Sequence, residues 1–156
     1  MQKLVFLFFI ILFTSCTDNT VLVNDMRDLP NAKWKYDEIP DFSFTINKTN
    51  IYHQIDLKLK VFKNYPFENL YILAHIKDPE GKSTTQRLNF ILADITGKPT
   101  GTVSGNSISY ELPLIKSFKA SKSGVYFIAL EQNMRDSVIN GVQSIGVKVK
   151  EGQPVF

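Results

Sequence analysis

Residues 54–61 read Gln54-Ile55-Asp56-Leu57-Lys58-Leu59-Lys60-Val61. Every second side chain is apolar and the ones between are polar or charged. Successive side chains of a strand point to opposite faces, so this period of two belongs to a strand with one buried and one wet face. The same rhythm recurs on both sides. Phe42, Phe44 and Ile46 alternate with Asp41, Ser43, Thr45 and Asn47. Leu70, Ile72, Ala74 and Ile76 form a third such run, stopped by Asp78-Pro79-Glu80-Gly81-Lys82. An early proline and a late glycine suit a type I turn with glycine at positive φ, joining antiparallel strands. The returning strand carries Thr84, Gln86, Leu88, Phe90 and Leu92, or its opposite face.

Further along, Ala93 to Asn106 is rich in Gly, Pro and Thr and reads as an irregular excursion. Ser107 to Glu111 reads as a short strand, and Pro113 denies the next segment a central place in a sheet. A turn at Ser121-Lys122-Ser123-Gly124 precedes Val125 to Leu130, which composition marks as a fully buried strand. Asn140-Gly141 turns again, and Ile145, Val147 and Val149 alternate in a closing strand. No window carries a helical stripe, and Met134 to Ile139 makes at most one turn. The expected fold is all-β: an antiparallel β-sandwich of about seven to nine strands.

The chain starts differently. After Met1-Gln2-Lys3, residues 4–13 are an unbroken apolar run. Ten helical residues rise about 15 Å, half of a ~30 Å hydrocarbon core, so the run is too short to span a bilayer. A basic start, a short apolar stretch and a small-residue exit describe a secretory signal. The exit, Phe13-Thr14-Ser15-Cys16, resembles a bacterial lipobox, which predicts cleavage before Cys16 and acylation of that residue. Cys16 is also the single cysteine, so it has no disulfide partner in the chain. The competing expectation is an ordinary signal peptide with an incidental cysteine.

Cleavage would remove 15 of 156 residues and leave 141, enough for one domain with a core. The predicted division is a signal peptide at 1–15, a lipidated N-terminus and polar tether at 16–33, and a β-sandwich domain at 34–156. Loss of Lys3 takes the formal charge from +3 to +2, with acids and bases interspersed. Such a balance gives no footprint for nucleic acid.

Catalytic and metal-binding motifs are missing from the sequence. His53 and His75 lack further ligands at zinc spacing, and Ser104, Ser107 and Ser109 lack a nucleophile elbow. The carboxylates Asp37, Glu38, Asp41, Glu68, Asp78, Glu80 and Asp94 sit at turns or the domain entry, where solvation is their ordinary role. No metal, cofactor or enzymatic activity is expected. Two segments do carry contact chemistry. Tyr65-Pro66-Phe67-Glu68-Asn69-Leu70-Tyr71 places three rings around one turn, suited to stacking on a partner or a sugar. The alternative is that those rings plug one end of the sandwich while Asn69 bonds the loop backbone. Met134-Arg135 is a second contact candidate, or else a plug with Met inward and Arg paired to Asp136 or a carbonyl.

The combination of Cys16, Trp34 followed by Phe42-Ser43-Phe44-Thr45-Ile46, and the Tyr65–Tyr71 turn resembles the gliding motility lipoprotein GldH family of Bacteroidetes. Pro79-Glu80-Gly81-Lys82, Leu92-Ala93-Asp94 with Gly97 and Gly101, Ser123-Gly124-Val125-Tyr126-Phe127, Gln132-Asn133-Met134-Arg135, Gly141 and Ile145-Gly146-Val147 follow in that family's order. The chain departs from it at Pro99, where a tryptophan is usual, and at Gln86-Arg87, where Asp-Thr is usual. The resemblance implies a non-enzymatic envelope lipoprotein, membrane-anchored through acylated Cys16 and working with protein partners of the gliding and associated secretion machinery. A carbohydrate-binding surface lipoprotein is the alternative. Tyr65, Phe67, Tyr71, Met134 and Arg135 are the candidate partner contacts.

Overall fold

The structure is a computed structural model and describes residues 20–154. The predicted signal peptide and Cys16 lie outside the described residues. The chain forms two antiparallel sheets packed face to face, with a small ribbon at one end. The first sheet has the order β1-β11-β4-β8-β7, from strands Val21–Asp28 (β1), Tyr52–Phe62 (β4), Thr102–Ser104 (β7), Ser107–Lys119 (β8) and Val142–Gly152 (β11). The second has the order β3-β9-β5-β6, from Asp41–Ile46 (β3), Asn69–Lys77 (β5), Ser83–Ile91 (β6) and Gly124–Gln132 (β9). Lys33–Lys35 (β2) and Val138–Asn140 (β10) pair as the ribbon. A single 3-10 turn, Pro30–Ala32, precedes β2.

The alternating residues meet between the sheets. Ile55, Leu57, Leu59 and Val61 of β4 and Ile145, Val147 and Val149 of β11 are buried from one side. Phe42, Phe44 and Ile46, Leu70, Ile72, Ala74 and Ile76, and Tyr126, Ile128 and Leu130 close the core from the other. Trp34 is fully buried, and its indole N–H donates to the Glu38 carbonyl at 2.8 Å, which satisfies the one polar atom that burial would otherwise strand. The Asp78–Lys82 turn has the expected form: Gly81 sits at φ +87°, and Asp78 Oδ1 accepts from the amides of Glu80 and Lys82 at 2.9 Å.

Four sequence expectations need correction. Eleven strands are present among the described residues, more than seven to nine, because β2, β7 and β10 are three residues each and β1 was read as tether. The 16–33 tether is contradicted over Val21–Asp28, which pairs along β11 from Val21↔Lys150 to Asp28↔Ser144. Its polar residues belong to an edge strand, where half of each residue's surroundings is solvent and charge blocks further pairing. The short strand at Ser107–Glu111 runs on to Lys119. Pro113 is accommodated where the β4–β8 register shifts, opposite Asp56, and beyond the Ser107–Ser109 stretch that pairs with β7. Finally, β9 is not buried throughout: Val125 and Phe127 point outward and are 43 % and 44 % exposed.

β1 is held by a close backbone approach. A Cβ on Gly146 would lie 2.0 Å from the Asp25 carbonyl oxygen and 2.7 Å from Met26 Cα. Only glycine at that place lets β1 lie against β11 in this register.

Candidate functional site

A concavity lies where β5, β6 and the β9–β10 connection meet on the second sheet. It is a groove of about 490 Å³ lined by Phe67, Tyr71, Arg87, Asn133, Met134, Arg135 and Asp136. Two sequence segments that lie far apart in the chain supply most of it, and strand pairing explains why. β5 and β9 pair antiparallel with Ile72 opposite Gln132, so the residues after Gln132 continue beside Tyr71. The Asn133 amide donates to the Tyr71 carbonyl at 2.8 Å and carries the pairing one residue past the strand end.

The connection then folds back over a buried amide. Gln132 is 3 % exposed, and its Nε2 donates to the carbonyls of Asp136 at 3.0 Å and Ser137 at 3.4 Å. Its Oε1 accepts from the Met134 amide at 2.9 Å. One side chain thus satisfies donor and acceptor groups across residues 134–137, which fixes the groove's wall. Met134 packs partly inward, with its sulfur 3.3 Å from the Tyr71 amide. Arg135 and Asp136 are exposed at the rim, and Arg135 makes no ion pair among the described residues.

Arg87 reaches the groove from β6. The β5–β6 register puts it opposite Leu73 and diagonal to Tyr71. Its guanidinium carbon lies 4.6 Å from the Tyr71 ring centre, and Nε donates to Asn133 Oδ1 at 2.8 Å. A cation over an aromatic face contributes roughly 0.5–1 kcal/mol at an exposed site. More to the point, the stacking and the Nε bond together hold the guanidinium in one place on the groove's lining. Two cations, Arg87 and Arg135, face one carboxylate, Asp136, beside the apolar surfaces of Phe67, Tyr71 and Met134.

Of the five contact residues proposed from sequence, Phe67, Tyr71, Met134 and Arg135 are brought together here. Tyr65 does not line the groove. Its ring meets Phe67 edge-on at 5.7 Å, and its hydroxyl is buried without a hydrogen-bond partner. Burial, reinforced by Tyr110, pushes that hydroxyl well above its ordinary pKa. Tyr65 therefore plugs the end of the sandwich, packing over Gly141. Asn69 bonds across to Asn89 of β6 at 3.2 Å and not to the loop backbone. Arg87, Asn133, Gln132 and Asp136 were not singled out as contacts. The 78–82 turn carried the signal for Arg87, since a hairpin closed there sets its register against β5.

The histidines have structural surroundings. His53 is buried at 2 % exposure; burial holds its imidazole below the ordinary value, with Glu151 and a backbone contact at Phe118 acting the other way. His75 lies on the outer face between Thr85 Oγ1 and Glu131 Oε2, both at 2.9 Å. Among the described residues no group of three or more His, Cys, Asp or Glu side chains is arranged to hold a metal ion. No helix among them is long and apolar enough to cross a membrane.

Comparison with known proteins follows the same outline. The sequence is similar to the gliding motility lipoprotein GldH homolog of Christiangramia forsetii, 28 % identical over 145 residues that cover 90 % of this chain and 86 % of that one. It is similar also to the gliding motility lipoprotein GldH of Flavobacterium johnsoniae, 23 % identical over 150 residues, covering 90 % and 91 % of the two chains. The family description "GldH lipoprotein" matches residues 21–149, a span that opens with β1 and closes within β11. The chain belongs to the GldH lipoprotein family.

Proposed function

We propose that this protein is a non-enzymatic lipoprotein of the cell envelope, anchored through acylated Cys16, that serves the gliding motility and associated secretion machinery by docking a protein partner in the Phe67–Tyr71–Arg87–Met134–Arg135 groove. Both relatives carry gliding motility lipoprotein names, and the lipobox-like exit at Cys16 supplies the anchor. The observation that carries the docking role is the groove itself. An oriented arginine and a second unpaired one stand beside partly exposed aromatic and thioether surfaces on a wall fixed by Gln132. Arginine and aromatic residues in such settings dominate interface energetics. The complementary ligand is a protein segment presenting a carboxylate next to apolar side chains. Restricting the domain to a membrane raises its effective concentration for partners in the same envelope.

The carbohydrate alternative loses support from the ring geometry. A sugar platform needs open, roughly coplanar faces. One face of Tyr71 is covered by Arg87, and Tyr65 and Phe67 meet at 70°.

Site-specific photocrosslinking in the native host tests the reading. A benzoylphenylalanine at Phe67 is expected to capture an envelope component of the machinery, whereas the same group at Lys60 on the first sheet's outer face captures none. Equal capture at both positions, or none at Phe67 in cells that assemble the machinery, removes the groove from the account.

A further inference from the structure

β1 shortens the leash between anchor and domain. Val21 is already paired with Lys150, and the Thr20 carbonyl accepts from the Glu151 amide at 2.8 Å. Only Thr17, Asp18 and Asn19 stand between Cys16 and that fixed residue. Four Cα steps reach about 14 Å at full extension. With Cys16 at headgroup level, the end of the sandwich where β1 begins has to lie within that distance of the bilayer. At this end β4 begins, β8 and β11 finish, and the second sheet contributes the close of β3 at Ile46, the start of β9 at Gly124 and the Asp78–Lys82 turn.

A second observation points the same way. The outward apolar pair of β9, Val125 and Phe127, belongs to this end. Val125 is one residue and Phe127 three residues from the start of the strand, about 3 and 10 Å along it. Lys77 stands opposite Phe127 in register, and a hollow of about 530 Å³ opens between Val125, Phe127 and residues 77–81. The rim also carries Asp78, which accepts from the amides of its own turn, and Glu80, which pairs with Lys122, so Lys77 and Lys82 are the cations left beside the apolar pair, a composition that settles at a headgroup boundary.

We propose that the acylated protein stands with this end on the bilayer, Val125 and Phe127 resting in the headgroup layer and Lys77 and Lys82 against lipid phosphates. This rests on the lipid-anchor reading above. It gives the groove a height: Tyr71 is six residues from Lys77 along β5, about 20 Å further from the membrane. A partner must then present its carboxylate-bearing segment at that level, not at the lipid surface.

The test uses full-length acylated protein in nanodiscs of phosphatidylethanolamine and phosphatidylglycerol. Intact mass establishes first whether Cys16 carries lipid; a chain without lipid mass overturns the anchor reading itself, and this proposal with it. With Cys16 blocked by acylation, a cysteine introduced by Ser123→Cys or Ser137→Cys is the one free thiol for a nitroxide. Relaxation by nickel-chelating lipid headgroups is expected to be at least about fivefold stronger at 123 than at 137, as a ~20 Å difference in height requires. Equal relaxation at the two sites, or stronger relaxation at 137, overturns the orientation. Twelve Gly/Ser residues inserted between Asn19 and Thr20 should shrink the contrast by at least about half, since a flexible linker of that length reaches some 20 Å. Phe127→Ser should weaken it as well. If either variant keeps the full contrast, the leash or the apolar contact respectively is not its cause.

Discussion

The outer faces of the two sheets are built on opposite lines. On the first, charges answer one another: Lys148 meets Glu111 at 2.9 Å, Lys150 lies 3.6 Å from Asp56, and Lys58 donates to Asn24 at 2.6 Å. Asp56 is nearly buried in this layer and takes a further bond from Gln54 at 2.7 Å. On the second face, His75 and Glu131 form one polar bridge, but Val125, Phe127 and Ile91 are exposed and Arg87 is stacked on Tyr71. The first face meets water mainly through these answered polar groups, with Lys119 over the Tyr52 ring at one end. The second leaves apolar area and directed cations for something else to meet, and that asymmetry is what the functional proposals rest on.

The largest expected effect removes the edge of the first face. Gly146→Val places side-chain atoms where the Asp25 carbonyl and Met26 backbone now lie. We expect a loss of about 2–3 kcal/mol, toward the upper range for overpacking, because a backbone strand cannot yield as a side chain can. Chemical denaturation measures it. Hydrogen exchange should show the added opening concentrated in residues 21–28; uniform loosening of both sheets would mean that β1 is not an independently docked edge.

Next in size is Gln132→Leu. It keeps the apolar bulk but strands the Met134 amide and the Asp136 carbonyl, while the Ser137 carbonyl keeps its bond from the Tyr36 amide, at a cost of about 1–3 kcal/mol. The groove's wall should lose order and crosslinking from Phe67 should fall at least about tenfold, as expected for losing a hot-spot cluster. Wild-type capture by this variant would show that the wall's conformation is irrelevant to docking. Arg87→Ala is gentler on the fold, at about 0.5–1 kcal/mol, the scale of an exposed cation–π contact. Its effect on capture should still exceed that of Lys60→Ala on the first face, which we expect to be nil. If the two alanines act alike, the contrast between the faces carries no functional meaning.

How much of this could be read from the sequence depends on what kind of contact made it. β4, β5 and β11 were legible because each buries one face and so writes a period of two. β1 was not: beyond Val21-Leu22-Val23 its residues are Asn24, Asp25, Met26, Arg27 and Asp28, and an edge strand held by a neighbour's glycine needs little apolar patterning of its own. β9 misled in the opposite way, since outward Val125 and Phe127 fill the places where polar residues would have marked the wet face. For the groove, the residue types at Phe67, Tyr71, Met134 and Arg135 signalled contact chemistry. Their meeting depended on the pairing of Ile72 with Gln132, sixty residues apart, which no local pattern encodes. Tyr65 was indistinguishable from its neighbours until the register placed it over Gly141.

The smallest effect lies between the two faces, at His53, where the sequence showed an isolated histidine in a strand. Its side chain is buried, and Nδ1 has no hydrogen-bond partner. Burial lowers its folded-state pKa below the ordinary 6.5, so near that pH the unfolded chain binds the proton more readily than the folded one. His53 therefore contributes stability that is fully present above pH 6.5 and is lost as the pH falls through the folded-state value. His53→Gln should flatten the slope of unfolding free energy between about pH 7 and 5 while leaving the slope at higher pH alone. Glu151 pulls the imidazole the other way, so Glu151→Gln should steepen the same slope. A wild-type slope in both variants would remove His53 from the account of the protein's acid sensitivity.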